Sequence, residues 1–137
     1  MADTVRIVEY FYAEVIDRPG EGRRLLEHLS EKGVNLLAFT AFPIGPDRVQ
    51  MDFVPESADK LKSAASDAGM TLVGPKKALM IQGNDRVGAL HEHHLKLSNA
   101  GINVMAANGT TDGSGRFGYI LWVRPENFDE AARALGA

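Results

Sequence analysis

Along the first half of the chain the spacing of hydrophobic positions changes in a fixed order. Phe11, Ala13 and Val15 alternate with Tyr10, Tyr12, Glu14 and Ile16, the two-residue period of a half-buried strand. Asp17-Arg18-Pro19-Gly20 breaks the alternation. Leu25, Leu26 and Leu29 then recur at helical spacing as far as Gly33, a residue suited to a left-handed C-terminal cap. Leu36 to Phe42 and Val49 to Val54 read as a strand pair around Pro43-Ile44-Gly45-Pro46-Asp47. Pro55-Glu56 opens a second helix carrying Leu61, Ala64, Ala65 and Ala68, Gly69 closes it, and Thr71 to Val73 form a fourth strand. The order β-α-β-β-α-β is the ferredoxin-like arrangement of the α+β class.

The same pattern returns further along. A shift of about 68 positions sets Asp17-Arg18-Pro19-Gly20 on Asp85-Arg86-Val87-Gly88, Leu29-Ser30 on Leu97-Ser98, and Gly33-Val34-Asn35 on Gly101-Ile102-Asn103. After a two-residue expansion in the next turn, Pro55-Glu56 meets Pro125-Glu126. The chain therefore reads as a tandem duplication, with one domain over residues 1–74 and a second over residues 75–137. Each copy is too small to bury much surface alone. The second copy places strands near Ala78 to Gln82, Asn103 to Gly109 and Phe117 to Val123, with helices near Ala89 to Ala100 and Asn127 to Leu135. It has no counterpart of the strand after Gly69, while Thr4 to Val8 form a surplus strand at the other end. An unpaired edge is a liability, so this surplus segment or a second chain is expected to complete the second sheet.

Composition narrows the chemistry. The chain of 137 residues has 15 Lys plus Arg against 18 Asp plus Glu, and a net charge of -3 without a segregated basic patch disfavours a nucleic-acid partner. Cysteine is absent, which removes disulfides, thiolate nucleophiles and Cys-ligated zinc together. Asp3, Glu9, Glu14 and Asp17 interrupt the opening segment, and no apolar run approaches a membrane span, so a cytoplasmic address is expected. His91, His93 and His94 invite a metal or general-base reading, but His91 and His94 share a helix face that His93 leaves, and no third ligand or carboxylate joins them. By register His93 and His94 replace Leu25 and Leu26, so at least one faces the sheet. Neither metal nor cofactor is expected.

A strand followed by D-R-P-G, a Leu-rich helix, and G-V-N or G-I-N entering the next strand resembles the ACT domain, the small-molecule-sensing module of amino-acid-controlled enzymes. The resemblance covers Tyr10 to Val73 and Lys77 to Leu135, and no catalytic domain accompanies it. It implies an amino acid bound near the first strand-helix loop, where two domains meet through their second strands, here Leu36 to Phe42 and Asn103 to Gly109. Carried over by position, the ligand-binding residues are Asp17, Arg18, Pro19, Gly20 and Glu21 in the first copy and Asp85, Arg86, Val87 and Gly88 in the second. Asn35 and Asn103 at the helix-to-strand turns, and Thr40 with its counterpart Asn108, complete the set. Physical chemistry makes such loops plausible sites: glycine lets backbone N–H groups approach a ligand, a helix N-terminus favours a carboxylate, and arginine adds a two-pronged contact. Turn chemistry alone also explains these residue types.

The reading that follows is a non-catalytic regulatory module binding a free amino acid or similar small metabolite at the seam between two domains, acting on an enzyme or regulator. The alternatives are a protein–protein scaffold without a small ligand and a small ferredoxin-like enzyme, for which Glu14 and Asp52 are the candidate carboxylates. Alternation also points Tyr10, Tyr12, Met80, Ile120 and Trp122 to the face without helices, opposite Phe11, Ala13, Met51, Leu79, Leu121 and Val123. An apolar patch of that kind predicts a homodimer covering it.

Overall fold

A computed structural model describes residues 3–137. Its elements are β1 (Thr4–Ile16), α1 (Glu21–Glu31), β2 (Leu36–Pro43), β3 (Arg48–Pro55), α2 (Ala58–Asp67), β4 (Val73–Asn84), α3 (His91–Asn99), β5 (Val104–Thr111), β6 (Arg116–Val123) and α4 (Phe128–Leu135), the last preceded by a 3-10 turn at Pro125–Asn127. The expected order of strands and helices is present in both copies. α2 starts three residues after Pro55, because the Ser57 side chain caps it by accepting a hydrogen bond from the Lys60 N–H at 3.3 Å.

The unexpected feature is the length of two strands. Thr4–Ile16 run as one strand of 13 residues, so the surplus segment and the first strand of copy one are continuous. Val73–Asn84 likewise form one strand of 12 residues, which merges the last strand of copy one with the first strand of copy two. Two compact units result, Glu9–Lys76 and a second one built from residues 3–8 with Lys77–Ala137. The strand order is β2-β3-β1-β4 in the first unit and β5-β6-β4-β1 in the second. Residues 4–8 therefore supply the fourth strand that the second copy lacks.

Each unit buries one face of its strands under two helices. In the first, Phe11 lies opposite Phe53 and Ala13 opposite Met51, and these four pack on Leu25 and Leu29 of α1 and Leu61 and Ala64 of α2. In the second, Leu79 opposite Leu121 and Ile81 opposite Tyr119 pack on Leu97 of α3 and Phe128, Ala131 and Leu135 of α4, with Val5 of β1 against the same cluster.

Two expectations are corrected. Among the described residues β2 hydrogen-bonds only to β3 and β5 only to β6. Leu36 to Phe42 and Asn103 to Gly109 thus form no shared seam: they are outer strands, because β1 and β3, or β4 and β6, take the inner positions of each unit. The face without helices is also not left to solvent. Met80, Ile120 and Trp122 are 4%, 5% and 8% exposed within the single chain, Val8, Val54 and Ala78 are buried too, and Tyr10 and Tyr12 are half-buried. The apolar patch from which the homodimer was expected is thus not exposed in the single chain.

The packing generates a direct contrast. Leu79 is fully buried whereas Met105 on β5 is among the most exposed apolar residues. Leu79→Ala is expected to cost about 2–5 kcal/mol in urea unfolding, from lost transfer energy plus the cavity. Met105→Ala should stay within about 0.5 kcal/mol of the parent.

Candidate functional site

In the second unit the chain leaves β4 at Asn84 and turns through Asp85-Arg86-Val87-Gly88 into α3. The Asp85 N–H donates to the Gly115 carbonyl at 2.8 Å, which ties this turn to the β5–β6 hairpin. Gly88 has φ +75°, the left-handed region that a residue with a Cβ enters only under strain. α3 begins at His91, two residues later than the periodicity suggests. The Ala89 and His91 N–H groups donate to the Arg86 and Gly88 carbonyls at 3.2 and 3.0 Å. The turn thus consumes part of the donor set that a helix N-terminus would offer to an anion.

Above this turn opens a pocket of about 460 Å3, lined by Asp85, Arg86, Gly88, Ala89, Leu90 and His91 on one side. Gly109, Thr110 and Thr111 of β5 and Phe117 and Gly118 of β6 form the other wall. The hairpin beyond it is a tight turn: the Asp112 Oδ1 accepts from the Ser114 and Arg116 N–H groups at 2.7 and 3.1 Å. Those bonds hold the Asp112 carboxyl below its ordinary value.

Arg86 is not free in this pocket. Its guanidinium grips the Asp3 carboxylate with both prongs, each at 3.0 Å, and also donates to the Asn84 carbonyl at 2.9 Å. The His93 Nε2 donates to the same carboxylate at 2.7 Å. Asp3 reaches this position from one residue before β1, and its side chain is only 4% exposed. The Arg86 hydrogen bond, and after it that of His93, holds the Asp3 carboxyl below its ordinary value of 3.8 although burial acts the other way.

The first-unit loop uses its arginine differently. Gly20, φ +92°, precedes α1, and the Arg18 Nε donates to the Glu21 Oε1 at 2.8 Å. Arg24 grips the other oxygen of Glu21 at 2.9 Å, so Glu21 is held below its usual range by Arg24 first and Arg18 second. Asp17 and Pro19 are exposed, and the Asp17 N–H donates to the Asp47 carbonyl at 2.8 Å. A first-unit hollow of about 230 Å3 lies elsewhere, against Glu14, Arg24 and residues 68–71.

The remaining residues singled out from the sequence do not converge on one place. The Asn35 Nδ2 donates to Glu56 at 3.1 Å. Asn103 lines a separate hollow of about 710 Å3 with His94, Ser98 and Ala106. Thr40 sits opposite Asp52 in the β2–β3 register, and Asn108 opposite Ile120 in β5–β6. Val87 is fully exposed beside the pocket. Asp85, Arg86 and Gly88 are thus the residues that the structure gathers around a cavity. Thr110 and Thr111 join the site without having been found from sequence. Asp3 does not line the cavity and reaches it only through its contact with Arg86, which nothing local in the chain foretells.

The histidines are accounted for singly. His93 faces inward, as the register with Leu25 and Leu26 suggests, and His94 shares a 2.7 Å hydrogen bond with the Tyr119 hydroxyl. Among the described residues no three His, Asp or Glu side chains are grouped to hold a metal ion. The carboxylates of the enzyme alternative share a sheet face, with Asp52 opposite Tyr12 and Glu14 opposite Gln50. Glu14 is exposed near Arg48, whereas Asp52 is 5% exposed and accepts from the Gln50 amide at 2.9 Å. Burial pushes the Asp52 carboxyl above its ordinary 3.8.

No protein-family model matches the chain, and no curated protein matches it. Solved structures do. A protein of Bacteroides thetaiotaomicron is similar with a TM-score of 0.83 and 16% identity, over 96% of this chain and 88% of that one. The regulatory subunit of aspartate kinase from Thermus thermophilus, in its ligand-free form, gives 0.64 and 20% over 96% and 94%. The corresponding subunit from Thermus flavus gives 0.59 and 16% over 99% and 95%. These likenesses show the fold, which is ACT-like. No helix among the described residues is long and apolar enough to cross a membrane.

Two pH signatures follow. Because the folded Asp3 carboxyl lies below 3.8, its contribution is fully present above that value and is lost as pH falls through the lower folded value. Thermal melts should therefore show the parent losing its advantage over Asp3→Asn as acid is added below about pH 4. Asp52 has the opposite sign: its raised folded value means that stability is lost as pH rises above 3.8. Asp52→Asn is expected to match or exceed the parent in Tm at pH 7, with the gain shrinking toward pH 4.

Proposed function

We propose that the chain is a non-catalytic regulatory module that binds a free amino acid or a similar small zwitterion at the Asp85–Ala89 turn of the second unit. The observation that carries this reading is the pocket itself. About 460 Å3 lies within the range of pockets that hold small molecules. It combines an apolar wall at Phe117, hydroxyls at Thr110 and Thr111, a close-approach glycine at Gly88 and a cation at Arg86. An amino acid needs that mixture: a positive group for its carboxylate, polar acceptors for its ammonium and an apolar surface for its side chain. The solved structures named as regulatory subunits of aspartate kinase support the regulatory part of the reading through the shared fold. In the first unit, Arg18 and Arg24 are both engaged with Glu21, whereas Arg86 of the second unit lines the pocket.

Binding would signal through the loop that holds Arg86, which is joined on one side to β4 and on the other to α3. A protein partner, an enzyme or a regulator, would read the change in that loop.

Thermal shift against the twenty amino acids tests the reading. A ligand at 100 times its Kd adds about 2.7 kcal/mol, a readily measured rise in Tm. Thr110→Trp, which fills the pocket from an exposed strand, should abolish the shift, and Gly20→Val in the first-unit loop should leave it intact. No shift with any amino acid, together with co-purification of a specific protein, would point to the scaffold alternative. Turnover of a bound compound would point to the enzyme.

A further inference from the structure

We propose that Asp3 is a built-in carboxylate ligand: it occupies in cis the place at Arg86 and His93 that an incoming carboxylate takes, and a small carboxylate entering the pocket displaces it. The inference rests on the reading of the Arg86 turn as a ligand site and adds its regulation.

The geometry is that of a bound ligand. Two parallel contacts of 3.0 Å from Arg86 and one of 2.7 Å from His93 form the arrangement by which guanidinium and imidazole capture a free carboxylate. The surroundings leave room for this group specifically. Gly83 lies beneath it, and a Cβ there would run into the Asp3 carboxylate. The Nδ1 of His93 is buried with no hydrogen-bond partner among the described residues, so Asp3 does not exhaust the polar capacity of the cluster.

Comparison of the two copies sharpens the point. In the first, Arg18 is paired with Glu21, the first residue of α1. In the second, the position matching Glu21 is Ala89, so that position offers Arg86 no carboxylate and a residue 83 positions away pairs with it instead. Glu21 is held from two sides, by Arg18 and Arg24, within its own loop and helix. Asp3 stands one residue outside β1, so its side chain can swing out while the strand stays paired. Arg86 lines the pocket and is 44% exposed, so a carboxylate arriving there meets the same guanidinium that Asp3 holds.

Such a latch sets the threshold of the site. A latch closed nine-tenths of the time weakens an entering carboxylate about tenfold, because only the open fraction is competent to bind. Occupancy then releases residue 3 from the loop, so binding changes the residues next to the strand that completes the second unit.

The test uses the full chain at pH 7 and constant ionic strength, with acetate or formate replacing chloride. Asp3→Ala should show a carboxylate-dependent rise in Tm, with an apparent affinity for acetate at least tenfold above that of the parent. Asp3→Ala with Arg86→Gln should lose it. Asp3→Asn, which keeps the shape and loses the charge, carries the same comparison if the alanine variant does not fold. Equal acetate responses in parent and variant would overturn the latch. The twenty amino acids are run on the same proteins. Amino-acid binding of equal strength in parent and Asp3→Ala would also overturn the latch while leaving the ligand site standing. An acetate response confined to the variant, with no amino acid bound by either, would keep the latch and refute the amino-acid reading.

Discussion

A ferredoxin-like unit closes only when four strands lie side by side, and the second copy of this duplication brings three. Bare strand edges expose rows of N–H and carbonyl groups that must find partners. The chain meets that requirement by extending β1 beyond what the first unit needs, so that residues 4–8 serve the second unit and Glu9–Ile16 serve the first. β4 is shared in the same way, from Val73–Lys76 to Lys77–Asn84. The placement of every later feature follows from this. Asp3 arrives at the Arg86 turn because β1 carries it there, and Arg86 gains a carboxylate partner from outside its own turn.

The two loops show how one duplicated motif can diverge: α1 follows Gly20 directly, whereas α3 begins only at His91. Both keep a glycine with positive φ and an arginine two residues before it. In the first unit that arginine is neutralised within a single helical turn, a short-range pairing of a kind common on helix surfaces. In the second it is neutralised by Asp3, 83 positions away in the sequence. Contacts of the second kind depend on tertiary structure, and a ligand competing with one therefore reaches further than a ligand competing with a local ion pair.

The sequence made the architecture legible because the evidence for it was periodic and repeated. Phe11, Ala13, Leu79 and Leu121 point into cores under helices, as their alternation indicates, and of the two histidines of which the copy-to-copy register turns at least one inward, His93 is buried. Periodicity speaks of faces and not of what covers them, which is why Met80, Ile120 and Trp122 were legible as one face but not as a buried one. Pairing between distant strands is likewise invisible to a local pattern, so β2 and β5 read as partners when each is an outer strand. The site was half legible. Glycine and arginine types mark the turn at Asp85–Gly88, whereas Asp3 and the wall at Thr110 and Thr111 come together only through strand order.

The shared strand also orders the events of folding. The first unit is a contiguous stretch, Glu9–Lys76, whose contacts can all form once that stretch exists. The second must bring residues 3–8 back to Lys77–Ala137, a closure whose entropic cost grows with the intervening length unless that length is already compact. A folded first unit shortens the effective loop, because it holds Tyr10 and Phe11 of β1 beside Gly74 at the start of β4. Assembly of the second unit is then expected to be the slower, later step, templated by the first rather than independent of it.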